Sequence, residues 1–138
     1  MEGSRKWVFL ADPADYGWNE LAAQQQAVWD GIRNSRAQSN LRKTSNGDLA
    51  LIYHTAPDKA LIGIARITGA ARPDPRDAEL VVVDVAPHKA LARPIPLAEL
   101  KAHSVLSTMG FVRMPRVAVW PVTDAQWNAV LQVSGTTA

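Results

Sequence analysis

The chain of 138 residues is long enough to bury one hydrophobic core, and its 47% apolar and 20% charged residues are typical of a folded globular protein. It contains no cysteine, which excludes disulfides, thiol catalysis and cysteine-ligated zinc. The net charge is only +2, but four bases and no acid lie between Gly31 and Gly47. Such a cluster can attract phosphate, although a solvated helix face would give the same pattern.

Targeting and membrane signals are absent from the pattern of apolar residues. No apolar run approaches the roughly 18–20 residues that cross a bilayer, and the stretch near the N-terminus is too short for a signal peptide. We therefore expect a cytoplasmic protein with no membrane partner. Because no repeat, low-complexity tract or linker divides the chain, residues 1–138 are predicted to form one domain.

The first half of the chain alternates apolar runs with polar helical segments. The predicted elements are a strand over Lys6–Ala11, helices over Trp18–Gln26 and Asn34–Thr44, and strands over Leu49–His54 and Leu61–Ala70. Gly17 is the expected N-cap of the first helix. In the second helix, Ala37 and Leu41 are spaced to form the buried stripe.

The second half begins with the Pro-rich segment Ala71–Asp77, which predicts a connection without regular structure. The predicted elements that follow are a strand over Glu79–Ala86 ended by Pro87, a helix over Leu97–Ala102, a strand over Arg116–Val122 and a helix over Thr123–Val133 capped by Thr123. Several strands follow one another with no helix between them. This order favours an α+β fold with a mixed or antiparallel sheet curled into a barrel.

Catalytic constellations are not apparent in the sequence. His54, His88 and His103 have no partner at metal-ligand spacing, and Ser104 and Ser107 are not in a nucleophile elbow. No phosphate-binding glycine motif and no close carboxylate pair occurs. We therefore predict no enzyme activity, no metal and no cofactor, and favour a hydrogen-bonded structural role for His54.

Five tryptophans need separate interpretations. Trp7 and Trp120 lie in predicted strands and belong to the core, whereas Trp18 and Trp127 sit near helix starts and pack one face inward. Trp29 stands in a segment without predicted structure, beside polar groups. An indole face can stack on a nucleic-acid base, which contributes about 1–3 kcal/mol per base. For Trp29 the sequence leaves both this role and core packing open.

The run WDGIRN over Trp29–Asn34 resembles the WDG[VI]RN signature of EVE domains. Further segments that resemble the family, in the family's order, are Tyr53-His54, Gly63-Ile64-Ala65, Arg72–Pro75, Val83–Val85, Ile95–Lys101, Phe111–Arg113, Arg116 and Pro121–Thr123. The resemblance extends from about Trp7 to Leu131. EVE domains belong to the PUA-like superfamily, and the resemblance implies a curled mixed β-barrel of about five to six strands with flanking helices.

Relatives in that superfamily include YTH readers of N6-methyladenine and SRA readers of modified cytosine. The resemblance therefore implies a binding module for nucleic acid that carries a modified base, with modified cytosine in DNA favoured and RNA as the alternative. The sequence leaves the oligomeric state open, with a monomer favoured. A flipped base would stack on Trp29, which falls where YTH readers place a cage tryptophan. The ligand-binding residues that the resemblance implies are Asp12, Trp29, Asp30, Arg33, Asn34, Ser35, Tyr53, His54, Arg113 and Arg116, the last two near phosphate.

Several positions depart from the family's pattern at the expected pocket and its rim. Ser35 stands where many members carry Tyr or His, and Gln38-Ser39 replaces an Arg-Asn pair. Met114 and Ala118 replace a Gln and a Ser. These changes leave the ligand open. Two alternatives are an enzyme or sensor for a small nucleoside-like ligand in the same pocket, and a module whose basic face binds an acidic protein.

Overall fold

The computed structural model describes residues 5–137, in which seven strands and five helices follow the apolar pattern of the chain. The strands are β1 (Lys6–Ala11), β2 (Ala27–Trp29), β3 (Leu49–His54), β4 (Ala60–Ile67), β5 (Arg72–Asp74), β6 (Asp77–Pro96) and β7 (Val119–Val122). The helices are α1 (Trp18–Gln24), α2 (Ser35–Leu41), α3 (Leu97–Ala102), α4 (Gly110–Arg113) and α5 (Asp124–Ser134), with a 3₁₀ turn at Leu106–Thr108. None of these helices is long and apolar enough to cross a membrane.

The sheet is mixed and curled into a half-barrel. Its strand order is β2-β6-β4-β3-β1-β7, and the short β5 pairs with β6 beside this path. Only the β1–β3 pair is parallel among the paired strands described. Register shifts along the β4–β6 pair mark irregularities of the kind that increase strand bending. The predicted α+β fold with a curled mixed sheet and flanking helices is confirmed, with β5 as an additional short strand.

The predicted N-caps Gly17 and Thr123 are confirmed for α1 and α5. Thr123 Oγ1 accepts from the backbone N–H of Gln126 (3.1 Å), whose side chain accepts in return from the Thr123 N–H (3.0 Å). Asn34 caps α2 by accepting from the backbone N–H of Ala37 (2.9 Å). As predicted, Ala37 and Leu41 are the buried apolar residues of α2.

The prediction that Pro87 ends its strand was wrong, because β6 continues to Pro96. Pro87 lies opposite Ala65 where the β4–β6 register shifts, and a missing N–H is tolerated at such an irregularity. The predicted connection over Ala71–Asp77 likewise contains β5. This strand pairs with β6 alone, and a proline is tolerated in a strand with one partner.

The remaining corrections concern short elements. The last strand begins at Val119, not Arg116, and no sequence signal predicted the 3₁₀ turn or α4. Trp29 is not in an irregular segment, because it ends β2 and lies opposite Val83 of β6. A three-residue strand leaves no periodic pattern in the sequence, and its pairing with a longer strand determines its conformation.

Candidate nucleic-acid interface

A cavity of about 650 Å³ opens where the β2 end of the sheet meets the loops after β1 and before β7. Its volume lies in the range typical of small-molecule sites. The lining residues are Leu10, Ala11, Asp12, Asp15, Tyr16, Gln24, Ala27, Val28, Trp29, Asp30, Gly31, Ile32, Arg33, Asn34, Arg116 and Ala118. The lining therefore combines apolar strand ends with charged and polar loop residues.

Trp29 lines this cavity and is also packed in the core. It is 7% exposed, and its ring lies against Phe9 with a centroid distance of 5.7 Å and an interplanar angle of 32°. Tyr16 meets it edge-on at 6.1 Å. The two interpretations that the sequence left open thus both describe the residue, since most of the indole is covered and the remainder borders the cavity.

Tyr16 completes the wall beside Trp29. Its hydroxyl donates to Gln24 Oε1 (2.8 Å), which ties the loop after β1 to the end of α1. Burial, followed by the negative charge of Glu20, raises the pKa of Tyr16. The phenol is therefore neutral at physiological pH and acts as a hydrogen-bond donor at the cavity.

The loop over residues 30–34 is held in place from behind by Gln38. The Gln38 amide nitrogen donates to the carbonyls of Ile32 (2.7 Å) and Val81 (3.1 Å), and its oxygen accepts from the Val81 N–H (2.8 Å). Gly31 has a φ of +76°, a left-handed conformation that favours glycine. Gln38 is 3% exposed, so this clamp is shielded from water.

An ion pair joins the turn between β5 and β6 to the same loop. Arg76 donates to Asp30 (2.8 Å) and also approaches Asp74 (3.5 Å). The hydrogen bond from the Arg76 backbone N–H lowers the pKa of the Asp74 carboxyl, and the charges of Arg76 and Arg33 lower it further. Asp74 is 6% exposed and links this turn electrostatically to the cavity residue Arg33.

Six of the ten residues expected at the site line the cavity: Asp12, Trp29, Asp30, Arg33, Asn34 and Arg116. Three of them already have local partners. Asp12 Oδ1 accepts from the backbone of Ala14 (2.9 Å), Asn34 caps α2, and Asp30 pairs with Arg76. Polar residues far apart in the chain are thus brought to one place and held there.

Tyr53 and His54 do not line the cavity, in contrast to the expectation from the sequence. Tyr53 packs against Phe111 with ring centroids 4.6 Å apart, and burial raises the pKa of its phenol. His54 Nε2 accepts from the backbone N–H of Trp18 (3.0 Å), and Nδ1 lies 2.9 Å from Asp58. His54 therefore has the hydrogen-bonded structural role that its local sequence favoured.

Ser35 and Arg113 are exposed but also lie outside the cavity wall. Ser35 is the first residue of α2 and Arg113 the last of α4. Of the departures from the family's pattern, only Ala118 lines the cavity, whereas Gln38 lies behind the loop, and Ser39 and Met114 are exposed elsewhere.

Sequence reasoning missed several lining residues, of which Asp15, Tyr16, Gln24 and Val28 are the clearest. Tyr16 could have been found as a lone aromatic residue in the polar loop after Asp12-Pro13. Val28 is 45% exposed, and strand alternation beside the buried Trp29 predicts this only once β2 is known.

The two arginines that line the cavity, and two more near it, have no carboxylate partner. Within residues 5–137, Arg33, Arg36, Arg113 and Arg116 have no carboxylate within 4 Å, whereas Arg72, Arg76 and Arg93 each form ion pairs. No group of His, Asp or Glu side chains in this part of the chain could hold a metal ion. The cavity therefore combines an aromatic wall, carboxylates and unpaired positive charge.

A curled mixed half-barrel with these flanking helices defines a PUA-like domain. Residues 5–133 match the family model of the EVE domain, and the chain belongs to this family. Rpa0253 from Rhodopseudomonas palustris is 33% identical, with a TM-score of 0.90 over 95% of this chain and 93% of that chain.

Two animal proteins are also similar to this chain. Thymocyte nuclear protein 1 of Mus musculus is 27% identical over 169 residues, which cover 96% of this chain and 75% of the mouse protein. Human THYN1, solved in complex with DNA containing 5-methylcytosine, is 24% identical with a TM-score of 0.86 over 98% of this chain and 100% of that chain. The last likeness shows a shared fold.

Proposed function

We propose that this protein is a nucleic-acid-binding module that reads a modified base in the cavity beside Trp29, with modified cytosine in DNA as the favoured ligand. The observation that carries the proposal is the convergence of Trp29, Asp12, Arg33 and Arg116 on one cavity. The complex of human THYN1 with DNA containing 5-methylcytosine supports the choice of polymer and base.

The chemistry of the cavity suits a base turned out of its stack. Carboxylates such as Asp12 and Asp15 accept hydrogen bonds, and in DNA recognition such groups pair with the exocyclic amine of cytosine. Ala27 and Val28 offer apolar surface for a methyl group. Arg33 and Arg116 carry unpaired charge that can contact the flanking phosphates.

The covered state of Trp29 determines how it would contribute. Because Phe9 and Tyr16 cover most of the indole, the base meets the part of the ring that borders the cavity, and the neutral phenol of Tyr16 supplies a second aromatic contact. The proposal assigns Trp29 a part of the base contact and not a complete stacking face. It also assigns binding without catalysis, by a monomer that needs no cofactor.

A binding panel tests the proposal. Oligonucleotides identical except for cytosine or 5-methylcytosine, prepared as DNA and as RNA, are compared with matched adenine and N6-methyladenine strands by fluorescence anisotropy. We expect the lowest Kd for the DNA strand with 5-methylcytosine. Equal Kd values for every modified and unmodified pair would refute a reader function. A free nucleoside that binds as tightly as the oligonucleotide would favour the small-ligand alternative.

A further inference from the structure

Arg36 is an exposed arginine near the cavity whose side chain is held by an aromatic ring. Its guanidinium carbon lies 4.6 Å from the ring centroid of Trp120 in β7. Its Nη1 lies 3.8 Å from the sulfur of Met114, a weak acceptor. Within residues 5–137 it has no carboxylate partner. Most of its N–H donors are therefore left to solvent.

The ring under Arg36 is itself rigidly seated. Gly110 lies so close to Trp120 that a Cβ at this glycine would come within 2.3 Å of the ring. Trp120 is buried, and Asn40 of α2 donates to the neighbouring Val119 carbonyl (2.7 Å), which fixes α2 against β7. A guanidinium stacked on such a ring loses little conformational entropy when it binds an anion.

Arg36 lies next to the rim of the cavity. Arg33, three residues earlier, lines the cavity, and Met114, which Arg36 contacts, is two residues from the lining residue Arg116. A polymer whose base enters the cavity must pass its backbone over this rim. Arg36 is then placed to meet a phosphate beyond those that Arg33 and Arg116 can reach.

Two arginines elsewhere in the described residues show what kind of partner such an edge takes. Arg72 donates two hydrogen bonds to Asp84, and Arg93 donates two to Glu99. Their planar donor edges are occupied by carboxylates. The edge of Arg36 has the same geometry and is not occupied by a carboxylate, and phosphate is an oxyanion that fits it.

We propose that Arg36, stacked on Trp120, is a phosphate-binding residue that holds the sugar–phosphate backbone next to the nucleotide read in the cavity. The inference rests on the proposed function, because the polymer on this surface is the nucleic acid that the cavity reads. Arg36 contributes affinity that is independent of base identity, and it extends the interface from the cavity onto the face formed by α2 and the loop before β7.

The test compares Arg36→Gln with Arg42→Gln by anisotropy over a series of salt concentrations. Arg42 is also exposed and is the C-cap at the other end of α2, where it donates to the Glu79 carbonyl, so each variant loses one charge next to the same helix. We expect Arg36→Gln to weaken binding to modified and unmodified DNA equally, about tenfold. Its slope of log K against log salt should fall by about 0.9, and that of Arg42→Gln by less than half as much. Equal slopes in the two variants overturn the inference.

A second variant, Arg36→Lys, separates charge from planar stacking. Lysine keeps the positive charge but lacks the planar guanidinium, so the salt slope should stay near the parental value while affinity falls about threefold. This variant also carries the test if Arg36→Gln disturbs the packing of Trp120 enough to unfold the protein. Parental affinity in Arg36→Lys would mean that the stacked geometry is irrelevant and would overturn the inference.

The experiments distinguish a failure of the reader function from a failure of the phosphate contact at Arg36. If the parent does not distinguish 5-methylcytosine from cytosine but Arg36→Gln still loses affinity, the reader function fails and the phosphate contact stands. If the parent distinguishes them and Arg36→Gln binds normally, the phosphate contact fails alone. Poly-glutamate serves as an acidic-protein probe, and equal Arg36-dependent binding to it would overturn assignment to a nucleic-acid backbone.

Discussion

The arginines at the cavity and its rim, and the arginines of β5 and β6 that form ion pairs, have the same side chain in different electrostatic settings. Arg72 and Arg93 share their charge with Asp84 and Glu99, whereas Arg33, Arg36 and Arg116 have no carboxylate partner in the described residues. A paired arginine has exchanged its hydration for a protein carboxylate. An arginine without a carboxylate partner keeps its N–H donors for an external oxyanion, so we expect binding where such arginines border the cavity.

The pairing also affects the carboxylates. The hydrogen bonds from Arg72 lower the pKa of Asp84, and those from Arg93 lower the pKa of Glu99. The stabilisation by these two ion pairs should therefore respond to acid, because it depends on ionised carboxylates. Arg36 and Arg116 have no carboxylate partner through which acid could act. Substitutions of Arg36 or Arg116 should thus change binding, and substitutions in the two ion pairs should change the pH dependence of stability.

The largest expected effect comes from Trp29→Ala, which should affect both stability and binding. Trp29 is 93% buried against Phe9 and Tyr16, so we expect the free energy of unfolding to fall by about 3–5 kcal/mol. Denaturant unfolding measures this loss. Trp29→Phe, which keeps a smaller ring, should remain folded and lose part of the affinity for DNA. Parental affinity in Trp29→Phe would remove the indole from the base contact.

Gln38→Ala tests whether binding depends on the hydrogen bonds that hold the cavity loop in place. It leaves the Val81 N–H and the Ile32 carbonyl without their side-chain partner, and we expect unfolding to become about 1–3 kcal/mol easier. DNA affinity should fall as well, since residues 30–34 lose their clamp. Ser39→Ala, at the exposed neighbour, is the matched control. If Gln38→Ala loses stability but binds normally, the loop does not depend on the clamp.

Arg116→Ala should change binding with little change in stability. We expect the affinity for all sequences to fall uniformly and the salt slope to fall by about one unit, while the free energy of unfolding stays within about 0.5 kcal/mol. Arg113→Ala, outside the cavity wall, should show a smaller loss in the same anisotropy titration. Arg72→Ala removes the same charge from the paired set and should bind like the parent. A loss of affinity in Arg72→Ala equal to that in Arg116→Ala would abolish the contrast.

The smallest expected effect is the loss of stability in acid that comes from the Asp84 and Glu99 ion pairs. Since the folded-state pKa values of Asp84 and Glu99 are lowered, their stabilisation is present above the ordinary carboxyl pKa near 4 and is lost as pH falls through the lowered values. Thermal melts of Asp84→Asn with Glu99→Gln should therefore fall less steeply than the parent below about pH 4. Arg36→Gln and Arg116→Gln should follow the parental curve. A parental slope in the carboxylate variant would show that these pairs do not couple to folding.

How much of the fold could be predicted depended on how local each signal was. The bounds of β1, β3 and α3 were predicted correctly. An apolar run that ends at turn-forming residues, or a proline before a helix, can be recognised from a few adjacent residues. The continuation of β6 past Pro87 and the existence of β2 were not. Both depend on hydrogen bonds to strands far away in sequence, which no local pattern reports.

The residues of the candidate site also differ in whether a local signal predicted them. The WDGIRN run identified Trp29 and its polar neighbours as a group, and the structure brings Asp12 and Arg116 to them. Tyr53 and His54 form one of the matching segments but pack inward, because β3 is covered on both sides. Tyr16 and Val28 reach the cavity through the turn after β1 and the alternation of β2, which composition does not reveal.

The main strand and helix segments, the caps Gly17 and Thr123 and the family signature can be read from the sequence, since each depends on neighbours within a few positions or on the order of short motifs. Which arginines have a carboxylate partner and which have none depends on the tertiary structure. Arg72 is 12 residues from its partner Asp84, and Arg36 reaches Trp120 from another part of the chain. Such pairings depend on distances in space, which chain folding sets and sequence separation does not.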